Sequence, residues 1–354
     1  MKQNFLLLGA MALAGLFASC SQTEMEEAAN VPQKGNEVTV TVAPSADFTQ
    51  PRTRAESGQQ LRYIAELWEE DKTTNPTDPT TKKLIARTEQ VGTDANKFTF
   101  DVTEQGDYVI LFWADYIPTS AQQSDKTITR SSGENTFTVN FQGYEDNEFT
   151  TNGNGASKEG LQGVQIKTRS NKDRFYNGTT LEAFCSKVAF TKKNDIVSLD
   201  QVTLKRPLCK YIFKEKTADL SGISKVNIKF IEYYYQYNVY KEKTTNTGQY
   251  DGGGSSSMAI DILNSSEQQL FSFYSFAGKS EGTLSTYTMK FNFTANDKKY
   301  TDAQIASSKI PCRANYIYTL SGSFVQEDLT GTTVNVDVTC DEGGWTGGSK
   351  DLDN

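Results

Sequence analysis

The sequence predicts an all-β protein of two tandem antiparallel β-sandwiches, and three observations carry that expectation. Tyrosine (17), phenylalanine (20) and abundant threonine suit pleated, half-buried surfaces. Apolar and polar residues alternate with period two again and again along the chain, whereas helix signals are few. Turn-rich polar stretches such as TTNPTDPT, TTNGNGASKEG and DGGGSSS separate the alternating segments.

The chain opens with a leader. Lys2 supplies a positive start, Phe5 to Phe17 is almost wholly apolar, and Ala18 and Ser19 are small enough for a peptidase pocket, which makes residues 1–19 a secretory signal. The apolar run is about thirteen residues, short of the roughly 20 that a bilayer span needs. Leu16-Phe17-Ala18-Ser19-Cys20 resembles a bacterial lipobox, with Phe17 standing where leucine is usual. The resemblance implies cleavage before Cys20 and lipidation of its thiol, since two or three acyl chains hold a protein on a membrane where one chain binds only marginally. Residues 20–36 read as a flexible acidic tether, with Glu24, Glu26 and Glu27 and no base before Asn30. Such tails resemble the surface-export signals of Bacteroidetes lipoproteins.

Without its first 19 residues the 354-residue chain keeps 335, enough for two domains of about 100 to 200 residues each. The first expected strand, EVTVTV (Glu37 to Val42), puts Val38, Val40 and Val42 on one face and Glu37, Thr39 and Thr41 on the other. LRYIAELW (Leu61 to Trp68), FTFDV (Phe98 to Val102) and the nearly continuous YVILFWADY (Tyr108 to Tyr116) follow, with Trp68 and Trp113 expected in the core. The polar stretch KKNDIVSL (Lys192 to Leu199) is the expected seam between an N-terminal sandwich over 37–196 and a C-terminal one over 197–354. Beyond it, strands are expected at VTLKRPLCKYIF (Val202 to Phe213), Val226 to Tyr240, Met258 to Ile262, Leu270 to Phe276, Tyr287 to Phe293 and Tyr316 to Phe324. The last is TVNVDVTC, in which Val334, Val336, Val338 and Cys340 share a face; Trp345 is placed to cap the second sandwich.

Charge and missing residue types narrow the function. Loss of Lys2 with the leader takes the formal net charge from −8 to −9, which argues against nucleic acid and against acidic headgroups as partners. There is no histidine, so the Ser-His-Asp and Cys-His arrangements and the commonest zinc ligand are excluded. Cys185, Cys209, Cys312 and Cys340 form no CxxC pair; they could join in three disulfide connectivities or sit buried as small apolar residues. DGGGSSS lacks the lysine of a phosphate loop, and Asp146, Asn147 and Glu148 lack the spacing of a calcium loop. No cofactor or metal is expected.

Four features together resemble one family. The lipobox is followed about thirty residues on by QPRTRAES, with Arg52 and Arg54 just ahead of LRYIAELW. EQGDYVILFWADY (Glu104 to Tyr116) resembles the central N-terminal strand of the fimbrillin-like proteins of Bacteroidetes, and VTLKRPLCKYIF resembles the strand that opens their second domain. IPCRANYIYTLSG (Ile310 to Gly322) is similar to their late RN-x-Y strand. The resemblance implies two transthyretin-like β-sandwiches, a lipoprotein precursor on the outer membrane, and assembly into a surface fimbria of type V pilus kind without enzymatic activity. It further implies that an arginine-specific protease cuts after Arg54 or Arg52, removing Glu37 to Val42, so that a neighbouring subunit's strand can enter the groove. Val334, Val336 and Val338 are then the candidate donor face. Partners on this reading are other fimbrial subunits and host or bacterial surface ligands.

Two readings compete with a fimbrial role. IEYYYQYNVYK (Ile231 to Lys241) would set Tyr233, Tyr235 and Tyr237 along one face, suited to stacking on sugars, so a glycan-binding surface lipoprotein is the alternative; a cross-strand tyrosine ladder is the plainer explanation. An envelope hydrolase is disfavoured by the missing histidines, although glycosidases need only two carboxylates.

Overall fold

A computed structural model of the chain describes residues 35–44, 58–72, 80–92, 95–132, 135–152, 160–167, 181–193, 196–221, 223, 225–251, 258–280, 282–284, 288–295, 298–299, 303–306, 310–325 and 336–342. Among them are strands, turns and one 3-10 turn (Gly160–Gly163), with no α-helix.

The strands of the first half are β1 (Glu37–Pro44), β2 (Gln59–Asp71), β3 (Thr80–Val91), β4 (Lys97–Asp101), β5 (Gly106–Pro118) and β6 (Ser124–Ser132). They continue with β7 (Asn135–Gly143), β8 (Phe149–Thr150), β9 (Val164–Ile166), β10 (Ala183–Lys192), β11 (Val197–Ser198) and β12 (Val202–Leu204). The second half holds β13 (Leu208–Glu215), β14 (Lys225–Asn238), β15 (Lys243–Asp251), β16 (Met258–Asp261), β17 (Gln269–Phe276) and β18 (Gly282–Thr283). Last come β19 (Thr288–Ala295), β20 (Lys298–Lys299), β21 (Ala303–Ala306), β22 (Pro311–Cys312), β23 (Tyr316–Gly322) and β24 (Val336–Glu342).

Two sheets make the first sandwich. In one, β1 lies between β4 on one side and β11 with β12 on the other; the second runs β10-β5-β2-β3. Val38, Val40, Phe98 and Phe100 from the first sheet meet Leu61, Leu67, Ile110 and Phe112 from the second. The second sandwich sets a sheet of order β17-β13-β23-β24 against one built around β14, and its core gathers Tyr211, Phe213, Val226, Phe271 and Leu320.

A third core joins the halves, and it explains why β5 reads as a continuous apolar run. The back face of the β10-β5-β2-β3 sheet is covered as well: Ile64, Trp68 and Trp113 pack with Phe149, Leu161, Tyr237 and Phe276. A strand buried on both faces has no solvent side on which to alternate, and β5 is buried from Tyr108 to Ile117. Both tryptophans are wholly buried. The coverage comes partly from β9, which leaves the first half to pair Val164 with Tyr237 and Gln165 with Gln236 in the β14 sheet.

Polar side chains on that back face are paired among themselves. Arg62 grips Asp115 with two bonds (Nε to Oδ1 2.9 Å, Nη2 to Oδ2 2.8 Å) and reaches Asp146 at 3.1 Å. Arg87 donates to Glu66 Oε1 at 2.6 Å, to Glu89 Oε1 at 2.6 Å and to Thr151 Oγ1 at 2.8 Å. Glu66 Oε2 also accepts from Trp68 Nε1 and from the Leu161 amide. These pairs anchor the 144–151 and 160–163 segments over the sheet, and the opposed charges hold both guanidiniums protonated.

One expected strand is corrected. VTLKRPLCKYIF is not continuous: Pro207 has no N–H to give a ladder and turns Arg206 away from regular pairing, so the segment breaks into β12 and β13. β12 pairs with β1 in the first sandwich and β13 with β17 and β23 in the second. The crossing between the two sandwich cores thus falls at 205–207, after Leu204 and before Cys209.

Candidate functional site: a strand set in a groove

β1 is the element on which the functional reading turns. Its alternation does what the residues dictate: Val38, Val40 and Val42 are 0%, 1% and 0% exposed, while Thr39 and Thr41 are half-buried on the other face. It is an interior strand, not an edge. Antiparallel pairing to β4 sets Val38 opposite Phe100 and Val40 opposite Phe98; parallel pairing sets Val38 beside Val197 and Val42 beside Val202. The pairing continues past both ends, where the Val102 amide donates to Asn36 O, the Val42 amide to Asn96 O, and Lys192 Nζ to Gly35 O. Burial of three valine side chains contributes about 5 to 9 kcal/mol of transfer free energy.

The groove that holds β1 is walled by β4 and by β11 with β12 and floored by Leu61, Tyr63, Leu67, Ile110 and Phe112. Without β1, the inner edges of β4, β11 and β12 would all be unpaired over an apolar floor, which is an open position for one extended strand. Between β1 and β2 lie residues 45–58; Arg52 and Arg54 fall in the part outside the described residues, as do Cys20 and the acidic tether. A cut after Arg54 would leave only residues 55–58 ahead of β2 and would part β1 from the rest of the covalent chain.

β24 carries Val336 and Val338, the candidate donor face of the sequence. It is the outer strand of its sheet, paired among the described residues with β23 alone, in a register from Gly322↔Val336 to Tyr316↔Glu342. Val336 and Val338 rest half-buried on the second core, Cys340 is exposed, and Val334 lies outside the described residues, as does Trp345. The chain is clamped where it leaves β23: Glu215 Oε2 accepts from the Phe324 amide at 2.7 Å and the Val325 amide at 2.9 Å. An ion pair from Lys216 to Asp337 ties β24 down further.

The tyrosine face is corrected. Register shifts in β14 at 234–237 break the alternation, so Tyr233 and Tyr237 turn into different cores and are 7% and 3% exposed. Tyr235 packs against the second core. Burial pushes the Tyr237 phenol well above its ordinary range. No shared, open aromatic face remains on Tyr233, Tyr235 and Tyr237 for a sugar ring. Among the described residues no group of three acidic or thiol side chains is placed to hold a metal ion.

Residues 31–345 match the model of a family described as of unknown function, DUF6562. The chain belongs to the DUF6562 family. A search of the curated proteins found no match to this DUF6562 chain. Solved structures of similar overall course include a proposed cell adhesion protein from Bacteroides eggerthii, 13% identical, covering 88% of this chain and 97% of that one at a TM-score of 0.43. The fimbrial anchor protein Mfa2 from Porphyromonas gingivalis is 10% identical over 87% of this chain and 97% of its own, with a TM-score of 0.39. The tip fimbrial protein Mfa3 from the same organism is 11% identical over 86% and 99%, with a TM-score of 0.36. At those TM-scores the likenesses carry no weight here, and the functional reading rests on the DUF6562 chain's own strands.

Proposed function

We propose that this chain is a structural and adhesive component of a cell-surface fimbria, exported as a lipoprotein acylated at Cys20 and assembled by exchange of β1. The observation that carries the proposal is the position of β1: an interior strand, valines wholly in the core, joined to the rest of the protein by one segment that contains Arg52 and Arg54. Interior strands normally gain nothing from being removable. A single extended strand that enters first, fills its own slot and is followed by two arginines is what a self-capping precursor requires.

On this reading, residues 37–196 and 197–354 act as two sandwich units, with β11 and β12 lent back across that seam to flank β1. An arginine-specific protease cuts after Arg54 or Arg52, β1 leaves, and the β24 strand of a neighbouring subunit enters between β4 and β12. Uncut, the protein stays on the outer membrane through its acyl chains. No catalytic group is needed for any of these steps.

Incubation of the purified precursor with an arginine-specific protease tests the proposal. The expected result is a chain starting at Ala55 or Thr53 that then forms ladders of oligomers. Resistance at both arginines, or a trimmed chain that stays monomeric at high concentration, would remove the strand-exchange reading.

A further inference from the structure

Cys209 and Cys312 face each other in the second core. Their Sγ atoms are 3.8 Å apart across 103 residues of chain, and both residues are buried, at 0% and 4% exposure. Cys209 is carried by β13 and Cys312 by the two-residue β22, so the contact is tertiary and spans two sheets. The site is framed tightly. Sγ of Cys209 points to Ser275 O at 3.6 Å and Sγ of Cys312 to Phe276 O at 3.7 Å, two successive carbonyls of β17. Tyr211 Oη lies 3.3 Å from the Cys209 sulfur and donates to Pro311 O, which fixes the residue next to Cys312.

The other two described thiols are placed elsewhere. Cys185 is buried on β10 in the core between the halves, beside Tyr237, and Cys340 is exposed on the outer strand β24. Of the six possible pairs among these four cysteines, the one joining 209 to 312 has its sulfurs in contact.

We propose that Cys209 and Cys312 are a disulfide in the exported protein, with Cys185 and Cys340 left as thiols. A bond length of about 2.05 Å requires the sulfurs to close by roughly 1.8 Å, a displacement shared between two side chains. The oxidant is a disulfide, either that of an envelope thiol oxidoreductase or a small-molecule one such as oxidised glutathione. One thiolate attacks it, expelling a thiolate and forming a mixed disulfide; the second attacks that sulfur and expels the other thiolate, so two protons and two electrons leave the pair and the reagent becomes two thiols. The bond from the Cys209 thiol holds the Cys312 pKa below its ordinary value. The product staples β13 to β22 and closes a long loop, which restricts the unfolded chain more than a short loop would.

In cells the bond rests on export to an oxidising compartment; in the test tube it does not. The full chain is unfolded, refolded in a glutathione redox buffer, alkylated, digested and mapped by mass spectrometry. The expected result is a peptide pair joined through Cys209 and Cys312, alkylated Cys340, and Cys185 unlinked. A melting temperature that falls by several degrees on adding reductant is expected for the wild-type chain and not for Cys209→Ser or Cys312→Ser; the wild-type comparison stands by itself if either variant fails to fold. Alkylation of both Cys209 and Cys312 after refolding, or a link from either to Cys185 or Cys340, overturns the proposal. A chain that is joined in the redox buffer but reduced when isolated from cells supports the pairing and counts against export instead.

Discussion

Gly160 shows how much one residue position can demand. Its φ of +55° is left-handed, and a Cβ built there would lie 2.4 Å from Glu66 Oε1 and 2.7 Å from Oε2. That carboxylate cannot withdraw, because Arg87, Trp68 and the Leu161 amide hold it. Gly160→Ala is therefore expected to cost roughly 2 kcal/mol or more, read as a lower urea midpoint at unchanged slope. Arg62→Ala is expected to cost more, about 3 to 5 kcal/mol, since it leaves Asp115 buried without its partner. These charges were also what hid β3 from sequence reading. Arg87 and Glu89 look like solvent residues in TTKKLIARTEQV, yet both lie inside, compensated by partners from β2 and the 144–151 segment that only the folded chain brings near. The tyrosines misled in the opposite sense: IEYYYQYNVYK alternates on paper, and only the register shifts at 234–237, set by pairing to β15, send Tyr233 and Tyr237 inward to separate cores.

Strands with one simple face were legible. EVTVTV announced its valine face, and the buried run of β5 and the late β23 and β24 strands sit where alternation and turn signals placed them. What the pattern of β1 could not disclose was its place in the sheet, because alternation says which face is apolar and not how many neighbours a strand has; the pairings to β4, β11 and β12 supply that. The break at Pro207 was readable in principle from the proline, but apolar residues on both sides masked it. Two predictions belong at this scale. Val40→Thr keeps the shape and buries a hydroxyl in the first core, so it is expected to destabilise by about 1 to 3 kcal/mol in denaturant titration and to speed release of β1 once the chain is cut. Val338→Lys, on the half-buried outer strand β24, is expected to leave circular dichroism unchanged while suppressing oligomer ladders; unchanged ladders would exclude β24 as the donor.

At the scale of the molecule, three cores make one connected body: β1 fills that of the first sandwich, the back of the β5 sheet shares the joining core with Tyr237 and Phe276, and β24 borders that of the second sandwich. On the proposed strand exchange, the strand released and the strand lent stand in different sandwiches, so that each subunit would take a strand in one half and offer one from the other. Cutting alone should loosen β1 without dissolving the rest, since neither the joining core nor the core of the second sandwich contains a residue from it. Native mass spectrometry of the precursor before and after treatment with an arginine-specific protease measures this directly. The expected result is loss of the fragment carrying Val38, Val40 and Val42, and oligomers that form in the cut protein but vanish when residues 336–354 are removed. A fragment that stays bound while oligomers form, or oligomers indifferent to the loss of 336–354, would contradict it.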